Sequence, residues 1–398
     1  MPGNREEAPS SSLLLTINTG SSSLKAGIYR CDRTLRLELA ATVERVGYAD
    51  SRLRIADRAG TTLLDREEPL SNHGDALQAV LDYLASSDID SPLCGIGHRV
   101  VHGGRKYSAP TRIDGDLVAD VRALVPIDPT HLPQALEAIE TASARYPSVP
   151  QIACFDTAFH RSMPRVAQMY ALPAWVEEKG VLRYGFHGLS CESIMDQLAS
   201  HNAAEGRVVI AHLGNGASMT AVRDGRGVDT TMGFTPTGGL VMATRSGDLD
   251  PGVLLFLLQS AQLNPAELNE LVNLQAGMRG VSGGSADMRD LLERAPGERR
   301  AAEAVELFCY MARKSLGGLT TALGGLDTLV FTAGIGENAA PIRERICAGL
   351  DYLGIEIDTD RNRDSASVIS RQTSAVTVRV MKTDEDMMIA RHTVRILR

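Results

Sequence analysis

Two segments of the chain share one pattern, in which an apolar strand, a tight turn of small residues and a second strand follow one another. They are LLLTINTGSSSLKAGIYR at 13–30 and VVIAHLGNGASMTAVRDG at 208–225. A gapless alignment that sets Leu15 on Ile210 leaves the identities Ser23/Ser218 and Ala26/Ala221. Either turn alone also fits an ordinary surface hairpin, since Gly-rich loops are weak signals. Their repetition predicts two similar domains that face each other, with a phosphate-bearing ligand in the cleft between them.

The first turn has the chemistry of an anion site. Residues 18–23, Asn-Thr-Gly-Ser-Ser-Ser, carry no bulky side chain, so their N–H groups and hydroxyls can approach a phosphate closely. Lys25 lies two residues beyond Ser23, and alternation along a strand puts both side chains on one face. This arrangement suits phosphate oxygens, while a Ser-rich hairpin with a surface lysine is the alternative.

Composition limits the classes of protein to consider. With 398 residues, 43% hydrophobic and 23% charged, the chain is long enough for two or more globular domains. A net charge of −8 without a basic stretch argues against nucleic-acid binding. The six cysteines are scattered without a C-x-x-C pair, as is usual for reduced thiols in a cytoplasm. The longest apolar run, 253–258, is too short to cross a membrane, and the polar segment 1–12 predicts a flexible tail rather than a secretion signal.

Strand-like apolar runs that alternate with helical periodicity predict an α/β fold. We expect buried strands at 13–18, 95–101, 151–155, 208–213, 328–332 and 376–381, and helices at 76–85, 132–145, 251–262, 301–316 and 341–350. Asp250 before Pro251 predicts a capped helix start, and Thr383 with Asp386 resembles a capping box for the last helix. A boundary between 155 and 165 would give domains at 13–158 and 159–383, with 384–398 packing back onto the first.

Three polar residues follow predicted strands or glycines. Arg99 lies in the cation-rich segment 98–105, and its planar fork matches carboxylate or phosphate, although a solvated loop fits too. Asp156 directly follows a strand, where open α/β sheets bind ligands, although an acid there is often a turn or helix cap. His187 sits between glycines in YGFHG, and a structural histidine is the ordinary alternative.

Other loops offer phosphate contacts. Arg245, in TRSGDLDP, has no evident structural task and is a candidate for charge stabilisation. The turn at 282–289 carries a charged pair, and at 331–338 a strand breaks into glycines before a helix, which favours phosphate. No G-x-G-x-x-G or Walker A motif occurs, which argues against a Rossmann dehydrogenase or a P-loop ATPase, and no histidines have zinc spacing.

Nine short motifs together resemble the acetate kinase family. In chain order they are NTGSSSLK, HRVVHGG, FDTAFH, YGFHG, HLGNGAS, TRSGDLDP, SADMRD, AGIGEN and KTDEDMMIAR. They span about 13–396, and nine motifs in one order are far more specific than any one of them. The resemblance implies two duplicated RNase H-like domains of the actin/Hsp70/sugar-kinase superfamily with a ligand cleft between them. It also implies reversible, ATP-dependent phosphorylation of acetate by direct in-line transfer, in a cytoplasmic homodimer.

The resemblance further implies roles for individual residues. Mg²⁺, or Mn²⁺ as an alternative, would be held at Asn18 and Glu385, and the phosphates would lie near Lys25, Ser21 and Ser23. Catalysis would rest on Asp156, as acid/base or metal-orienting group, and on the stabilisation of the transferring phosphoryl group by His187 and Arg245. The substrate carboxylate would bind Arg99, in an apolar pocket walled by Val101, Ile127, Phe186 and Pro236. ATP would be held by His212, Leu213, Gly214, Asn215, Gly216, Asp287, Met288, Arg289, Gly334, Ile335, Gly336, Glu337 and Asn338.

Charge predicts how such a transfer would proceed. A carboxylic acid is ionised at pH 7, so the nucleophile needs no deprotonation. The obstacle is repulsion between two anions, which Mg²⁺, Lys25, Arg99 and Arg245 would offset. Asp156 is therefore expected to position the metal or a ligand rather than to act as a base.

Two departures from the family pattern lie near the expected substrate pocket. Where the family usually reads P-L-H-N-P, residues 126–130 read Pro-Ile-Asp-Pro-Thr, without the histidine unless His131 replaces it. Where it reads T-P-L-E-G, residues 235–239 read Thr-Pro-Thr-Gly-Gly. Propionate or another short acyl acid is therefore an alternative substrate. A sugar or polyol kinase would need a polar pocket and a base, and a non-catalytic nucleotide-binding module would not need both Arg99 and Arg245.

Overall fold

Both strand–turn–strand segments form antiparallel hairpins in the computed structural model, which describes residues 12–32, 34–87 and 91–398. The first hairpin belongs to unit 1, which runs to Ala158 and resumes at Asp384–Arg398, and the second belongs to unit 2, Phe159–Thr383. Residues 1–11 of the predicted tail lie outside the described residues, and Ser12 already belongs to the first strand. The predicted α/β class is confirmed.

In the described part of the chain, unit 1 is built on an eight-stranded sheet. Its strands are β1 Ser12–Thr19, β2 Ser23–Cys31, β3 Leu35–Glu44, β4 Arg52–Asp57, β5 Thr62–Glu67, β6 Leu93–Val100, β7 Thr111–Arg112 and β8 Gln151–Phe155. They lie in the order β5-β4-β3-β2-β1-β6-β8-β7. Among the described residues before unit 2, three helices accompany the sheet, α1 His73–Ser86, α2 Gly115–Ala123 and α3 Leu132–Arg145.

Unit 2 is built on a five-stranded sheet, counted over the same described residues. Its strands are β9 Arg207–Leu213, β10 Ala217–Arg223, β11 Arg226–Thr230, β12 Thr328–Thr332 and β13 Thr377–Val380, in the order β11-β10-β9-β12-β13. Its α-helices are α4 Arg165–Gln168, α5 Ala174–Glu178, α6 Gly188–Ser200, α7 Pro251–Gln259, α8 Pro265–Glu270, α9 Gly277–Ser282, α10 Met288–Arg294, α11 Arg299–Leu323, α12 Ala333–Asn338, α13 Ala340–Cys347 and α14 Thr359–Arg363. The last helix of the chain, α15 Glu385–Leu397, belongs to unit 1.

The two sheets repeat one topology. In unit 1, β1 is antiparallel to β2 and parallel to β6, which is parallel to β8. In unit 2, β9 is antiparallel to β10 and parallel to β12, which is parallel to β13. The order β3-β2-β1-β6-β8 therefore returns as β11-β10-β9-β12-β13, which confirms the predicted duplication.

The gapless alignment of the two hairpins is wrong beyond the turn. Asn18 lies opposite Lys25 in the first hairpin, so the alignment requires Leu213 to lie opposite Thr220. Leu213 instead lies opposite Ala217, because the second turn is shorter. A constant difference in residue number can therefore align only one strand of the first hairpin with its counterpart in the second.

Most predicted elements are confirmed. The bounds of β8, α3 and β12 are those expected, and α7 begins at Pro251 with Asp250 as its cap, whose side chain accepts from Gly252 N at 2.7 Å. The alternating strands β3–β5, and β11, were not predicted. Among the described residues, no helix combines the length and the hydropathy needed to cross a bilayer.

Helix α15 packs directly on β6, because two glycines of that strand leave room for it. A Cβ at Gly97 would lie 2.5 Å from Ile389 Cγ2 and would also strike Thr393 Oγ1. The expected capping box at Thr383 is wrong: the cap is Asp384, whose side chain accepts from Met387 N at 2.9 Å. The close approach positions Glu385, the first residue of α15, in unit 1.

We expect Gly97→Ala to displace α15 and to lower the free energy of unfolding by about 1–3 kcal/mol, the usual cost of overpacking a tight contact. Denaturant unfolding monitored by circular dichroism measures the change. Gly115→Ala is the matched control, since a Cβ there meets nothing within 4 Å. Equal stability of the two variants would contradict the close packing of α15 on β6.

Candidate active site

The predicted site residues fall into two groups. Unit 1 carries Asn18, Ser21, Ser23, Lys25, Arg99, Val101, Ile127, Asp156 and Glu385. Unit 2 carries Phe186, His187, His212–Gly216, Pro236, Arg245, Asp287–Arg289 and Gly334–Asn338. The expected cleft between two facing domains stays a prediction.

Arg99 is the centre of the cluster on unit 1. It lies near the carboxyl end of β6, and Asp156 directly follows the neighbouring strand β8. Arg99 donates from Nε and Nη2 to Asp156 Oδ2, at 2.9 and 2.5 Å, and from Nη1 to Asn18 Oδ1 at 3.2 Å. Asn18 Nδ2 donates to Glu385 Oε2 at 3.0 Å. The structure therefore brings together four predicted residues from four distant parts of the chain.

This cluster carries more negative than positive charge. Burial lowers the pKa of Arg99, but the charges of Asp156 and Glu385 outweigh it and raise the pKa above its usual value. Next to Glu385, burial and the neighbouring carboxylate raise the pKa of Asp386 to about 6, against the opposing charge of Lys25. The site thus holds a surplus of carboxylate oxygens around its cations.

The oxygen donors at Asn18 and Glu385 fit a magnesium ion. In the described parts of the chain, no three histidine, cysteine, aspartate or glutamate side chains form a metal-binding group. Mg²⁺ does not need such a cage, because proteins usually hold it through one or two carboxylates together with substrate phosphates and water. The surplus negative charge also favours a divalent cation at this place.

The turn between β1 and β2 depends on its small residues. A Cβ at Gly20 would lie 2.6 Å from Ser23 Oγ, and Gly20 N donates to Ser23 O at 2.8 Å. His73, at the start of α1, hydrogen-bonds Gly20 O through Nε2 at 2.9 Å, a contact that sequence reasoning missed. Lys25 is exposed and shares one face of β2 with Ser23, as predicted.

The first departure from the family pattern places a carboxylate close to Arg99. Asp128 is 2% exposed, and its charge is among the causes of the raised pKa of Arg99. Asp128 Oδ1 accepts from Thr130 Oγ1 at 3.0 Å and lies 2.9 Å from His131 Nδ1. His131 is therefore engaged by Asp128 through Nδ1, and its replacement of the family histidine stays a prediction. Ile127, beside it, is only partly exposed.

On unit 2, two histidine rings lie against the turn between β9 and β10. His187 and His212 stack with centroids 4.0 Å apart. His187 Nδ1 lies 2.9 Å from Ser218 Oγ, and His212 Nδ1 lies 2.8 Å from Ser190 Oγ. Each hydroxyl fixes the orientation of one ring. The left-handed backbone of His187, with φ of 60°, is a local strain of the kind found at functional sites.

The side chains of Arg245 and His187 both lie close to the backbone of Gly216. A Cβ at Gly216 would lie 3.2 Å from His187 Nε2 and 3.7 Å from Arg245 Nη1, so the imidazole and the guanidinium approach the same backbone. Arg245 Nη1 donates to Pro236 O at 3.2 Å, which anchors it. An imidazole and a guanidinium at a backbone turn suit the oxygens of a transferring phosphoryl group.

The remaining residues predicted to wall the pocket are buried. Phe186 is 1% exposed, and its carbonyl accepts a hydrogen bond from His160 Nε2 at 2.8 Å. Burial lowers the pKa of His160 to about 4, so its ring is neutral at pH 7. Val101, on unit 1, is 4% exposed. In the second departure from the family pattern, Thr237 Oγ1 donates to Asn273 Oδ1 at 2.5 Å.

Unit 2 holds a cavity of about 490 Å³, a volume within the range usual for small-molecule sites. It is lined by Gly214, Asn215, Asp287, Met288, Arg289, Leu292, Gly334, Ile335, Asn338, Ala339 and Pro341. Eight of the residues predicted to hold ATP are among them. Leu292, Ala339 and Pro341 were missed, although each lies within one helical turn of a predicted residue. Of the predicted set, His212, Leu213, Gly216, Gly336 and Glu337 do not line it.

The glycine-rich segment after β12 is helical. Helix α12 begins at Ala333, before Gly334 and Gly336, so the expected helix start after the glycines is wrong. Glu337 Oε1 accepts from Ala333 N at 2.9 Å and caps this end of the helix. A Cβ at Gly334 would meet nothing within 4 Å, which leaves that side of the helix open towards the cavity.

Arg343 binds main-chain carbonyls of helix α12, and sequence reasoning missed it. It is fully buried in α13. Its Nη1 donates to the carbonyls of Gly336 and Glu337, both at 2.9 Å. Its Nε and Nη2 donate to Asn362 Oδ1 and Asn362 O at 2.8 and 2.6 Å, and burial lowers its pKa to about 10. An isolated arginine in an amphipathic helix is normally predicted to be exposed, so the sequence gives no sign that Arg343 is buried.

Comparison with known proteins connects this geometry to one family. The model of the acetokinase family matches residues 13–391. The acetate kinase of Rhodopseudomonas palustris is 43% identical over 394 residues, 97% of this chain and 98% of that protein, and the acetate kinase of Carboxydothermus hydrogenoformans is 38% identical over 96% and 99%. Among solved structures, Porphyromonas gingivalis acetate kinase has a TM-score of 0.86 at 36% identity over 97% of this chain and all of its own. A propionate kinase from Francisella tularensis has a TM-score of 0.90 at 33% identity, over 96% and 99%.

Removing the Arg343 fork should disturb the nucleotide cavity. We expect Arg343→Met to leave the carbonyls of Gly336 and Glu337 unsatisfied, to cost roughly 3 kcal/mol of folding free energy and to weaken ATP binding about tenfold. Titration calorimetry with ATP and denaturant unfolding measure the two effects. Arg345→Met, on the exposed side of the same helix, is the control. Loss of stability with unchanged ATP affinity would leave Arg343 with a structural role alone.

Proposed function

Because the chain belongs to the acetokinase family, we propose that it transfers the terminal phosphoryl group of ATP reversibly to the carboxylate of acetate, giving acetyl phosphate and ADP. The chain is a kinase by family. The observation that carries the acceptor is the Arg99 cluster, in which a buried guanidinium, Asp156 and the oxygen donors Asn18 and Glu385 meet. It provides both positive charge for a carboxylate and ligands for a metal–phosphate group.

Asn18 and Glu385 would hold Mg²⁺, with Mn²⁺ as the alternative. When bound, the ion would neutralise charge on the phosphates of ATP. Lys25 and the hydroxyls of Ser21 and Ser23 would contact the same phosphates. The turn that carries these serines depends on Gly20, because a Cβ there would strike Ser23 Oγ.

Arg99 would offer the substrate one N–H rather than a two-pronged fork. A guanidinium has five N–H donors. Arg99 directs two of them to Asp156, one to Asn18 and one, at 3.4 Å, to Thr19 O. Its contribution to acetate binding would therefore be mainly its charge.

Asp156 would act by positioning. A carboxylate nucleophile is ionised at pH 7 and needs no base. Both contacts of Arg99 with Asp156 converge on Oδ2, so the carboxylate would fix the guanidinium that is proposed to face the reactants. His187 and Arg245 would stabilise the transferring phosphoryl group, and the cavity beside Gly334 would take the remainder of ATP.

Acetate is the proposed acceptor, and propionate is the alternative. Relatives named acetate kinase match nearly the whole chain, and one solved relative is named a propionate kinase. Val101, Phe186 and Pro236 are buried apolar residues that suit a methyl group. Asp128, which stands where the family has a histidine, adds negative charge near Arg99 and makes the acid preference worth measuring.

Hydroxylamine trapping of acyl phosphate with acetate, propionate and butyrate tests the proposal. We expect the highest kcat/KM for acetate and a loss of about tenfold or more per added methylene. A maximum at propionate would replace acetate by the alternative. Absence of acyl phosphate with every acid would refute carboxylate phosphorylation.

Asp156→Asn separates positioning from base catalysis. If Asp156 positions Arg99, turnover should fall on the order of a hundredfold at every pH, because misplaced catalytic groups cost about that much. The pH profile of kcat measures this, with the exposed Asp120→Asn as control. A shift of the acidic limb with full turnover at high pH would contradict positioning.

The family resemblance also supports a cytoplasmic homodimer. Helix α7 offers the surface for it, because none of its residues is buried and Val253, Leu255 and Phe256 are 43%, 54% and 60% exposed. Leu274, in the neighbouring Leu271–Gln275 turn, is 50% exposed. A second copy of the chain would cover this apolar face, which a soluble monomer rarely leaves open.

Phe256→Asp should convert the homodimer to monomer, because a charge in an apolar interface loses its hydration without gaining a partner. Sedimentation velocity at micromolar concentration measures the change. Tyr352→Asp, at a residue 74% exposed elsewhere on unit 2, is the control. A wild-type monomer, or a dimer that survives the substitution, would reject this interface.

A further inference from the structure

We propose that Asn273 is a positioning residue for phosphoryl transfer, because the short helix that carries it holds the loop of Pro236 and Arg245. This helix is the segment Leu271–Gln275, which is a π-helix and directly follows α8 in unit 2. The π-helix is rare in proteins and is found frequently at functional sites. The inference rests on the role proposed above for Arg245 and adds the residue that orients it.

Two main-chain carbonyls of the π-helix bind the residues on either side of Arg245. Thr244 Oγ1 donates to Asn273 O at 2.8 Å. Ser246 N donates to Val272 O at 3.0 Å. Because both chain neighbours of Arg245 are bound to the same short helix, the backbone of Arg245 takes its position from that helix.

The side chain of Asn273 adds a third contact, at the other end of the loop. Thr237 Oγ1 donates to Asn273 Oδ1 at 2.5 Å, and Arg245 Nη1 donates to Pro236 O at 3.2 Å. The peptide bond between Pro236 and Thr237 carries the carbonyl that anchors the guanidinium, so Asn273 holds that anchor through Thr237. At the position of Thr237 the family usually has leucine, which has no hydroxyl to donate.

Helix α8 orients the amide of Asn273. Its Nδ2 donates to Asn269 O at 3.0 Å and to Asn269 Oδ1 at 2.9 Å. A main-chain carbonyl only accepts hydrogen bonds, so the NH₂ group must face Asn269 and the amide oxygen must face Thr237. Asn273 and Thr237 are both half-buried. Their hydrogen bond is therefore partly shielded from water, which strengthens it.

The backbone beyond the π-helix also lies against the loop. Gly277, the first residue of α9, has a left-handed φ of 61°, and a Cβ there would lie 2.3 Å from Met242 O and 2.7 Å from Arg245 O. Met278 N donates to Met242 O at 2.8 Å. The loop thus packs main chain to main chain on residues 271–278, and a shift of the π-helix would move Arg245.

The position of this loop bears on the rate rather than on nucleotide affinity. A guanidinium stabilises a transferring phosphoryl group only if it lies where negative charge develops, and a misplacement of about 1 Å can cost on the order of a hundredfold in rate. The cavity of about 490 Å³ that would take ATP is lined by other residues, among them Gly214 and Gly334. Loss of the bond between Asn273 and Thr237 should therefore lower kcat and spare the KM for ATP.

The first experiment measures acetyl phosphate formation by Thr237→Val, which removes the hydroxyl and keeps the shape of the side chain. We expect kcat to fall about tenfold and the KM for ATP to stay within about twofold of the parent value. Thr237→Ser, which keeps the hydroxyl, should retain most of the parent kcat, and Asn273→Ala should lose at least as much as Thr237→Val. Gln275→Ala is the matched control, because its amide lies on the same π-helix and binds the exposed Glu270 at 2.7 Å.

The second experiment asks whether the hydrogen bond acts through Arg245. In an Arg245→Ala chain, Thr237→Val should lower kcat no further, since the effects of residues that act through one another are not additive. An equal further loss there would overturn the positioning role.

Two other outcomes of the first experiment would also overturn it, namely a parental kcat in Thr237→Val and a raised KM for ATP without a fall in kcat. A parent chain that forms no acyl phosphate from any acid would refute the proposed function and the positioning role together. That result is distinct from a failure confined to Asn273, in which the parent is active and the variants keep its kcat.

Discussion

The unit 1 site depends on a largely buried guanidinium, that of Arg99, which is paired with carboxylates. Arg99 and Asp156 each require the other, because removing one member of a buried ion pair strands the second charge at a cost of roughly 3–5 kcal/mol. The pair forms because β6 and β8 are neighbours and parallel, so their carboxyl ends meet. Asn18 joins from β1 on the other side of β6, and Glu385 joins from α15. The order of strands in the sheet is thus what assembles the site.

Strand ends could be predicted from the sequence because burial leaves a strong pattern. The apolar run at 151–155 located β8, and Asp156 followed from it. Glu385 came from the family resemblance, since nothing local connects the start of α15 to β1. Arg343 and His73 could not be foreseen, because their side chains bind main-chain carbonyls, which every residue carries. The residue type at a position does not indicate such a contact.

The glycine-rich segment shows why a turn composition can mislead. Glycines at 334 and 336 argue for a loop, yet α12 includes both. The helix is stabilised from outside its own sequence, by Arg343 on its carbonyls, and from within by Glu337 on its first N–H. The same distinction applies to the repeated hairpins. Their strand order is preserved while the turn lengths differ, because a change in a turn leaves the alternation inside each strand intact.

The position of α15 in the chain has a consequence for biosynthesis. A ribosome makes β1, β6 and β8 first, then the whole of unit 2, and only then the helix that covers Gly97. Until α15 emerges, the nascent sheet presents a bare glycine-lined face, and Arg99 faces Asp156 without Glu385. Unit 2 can fold as soon as its own strands are complete, whereas unit 1 must wait, since domains form as their last contacts become available. The Arg99 cluster is consequently the last part of unit 1 to be completed, and a chain released early would carry Asn18, Arg99 and Asp156 without the helix that supplies Glu385.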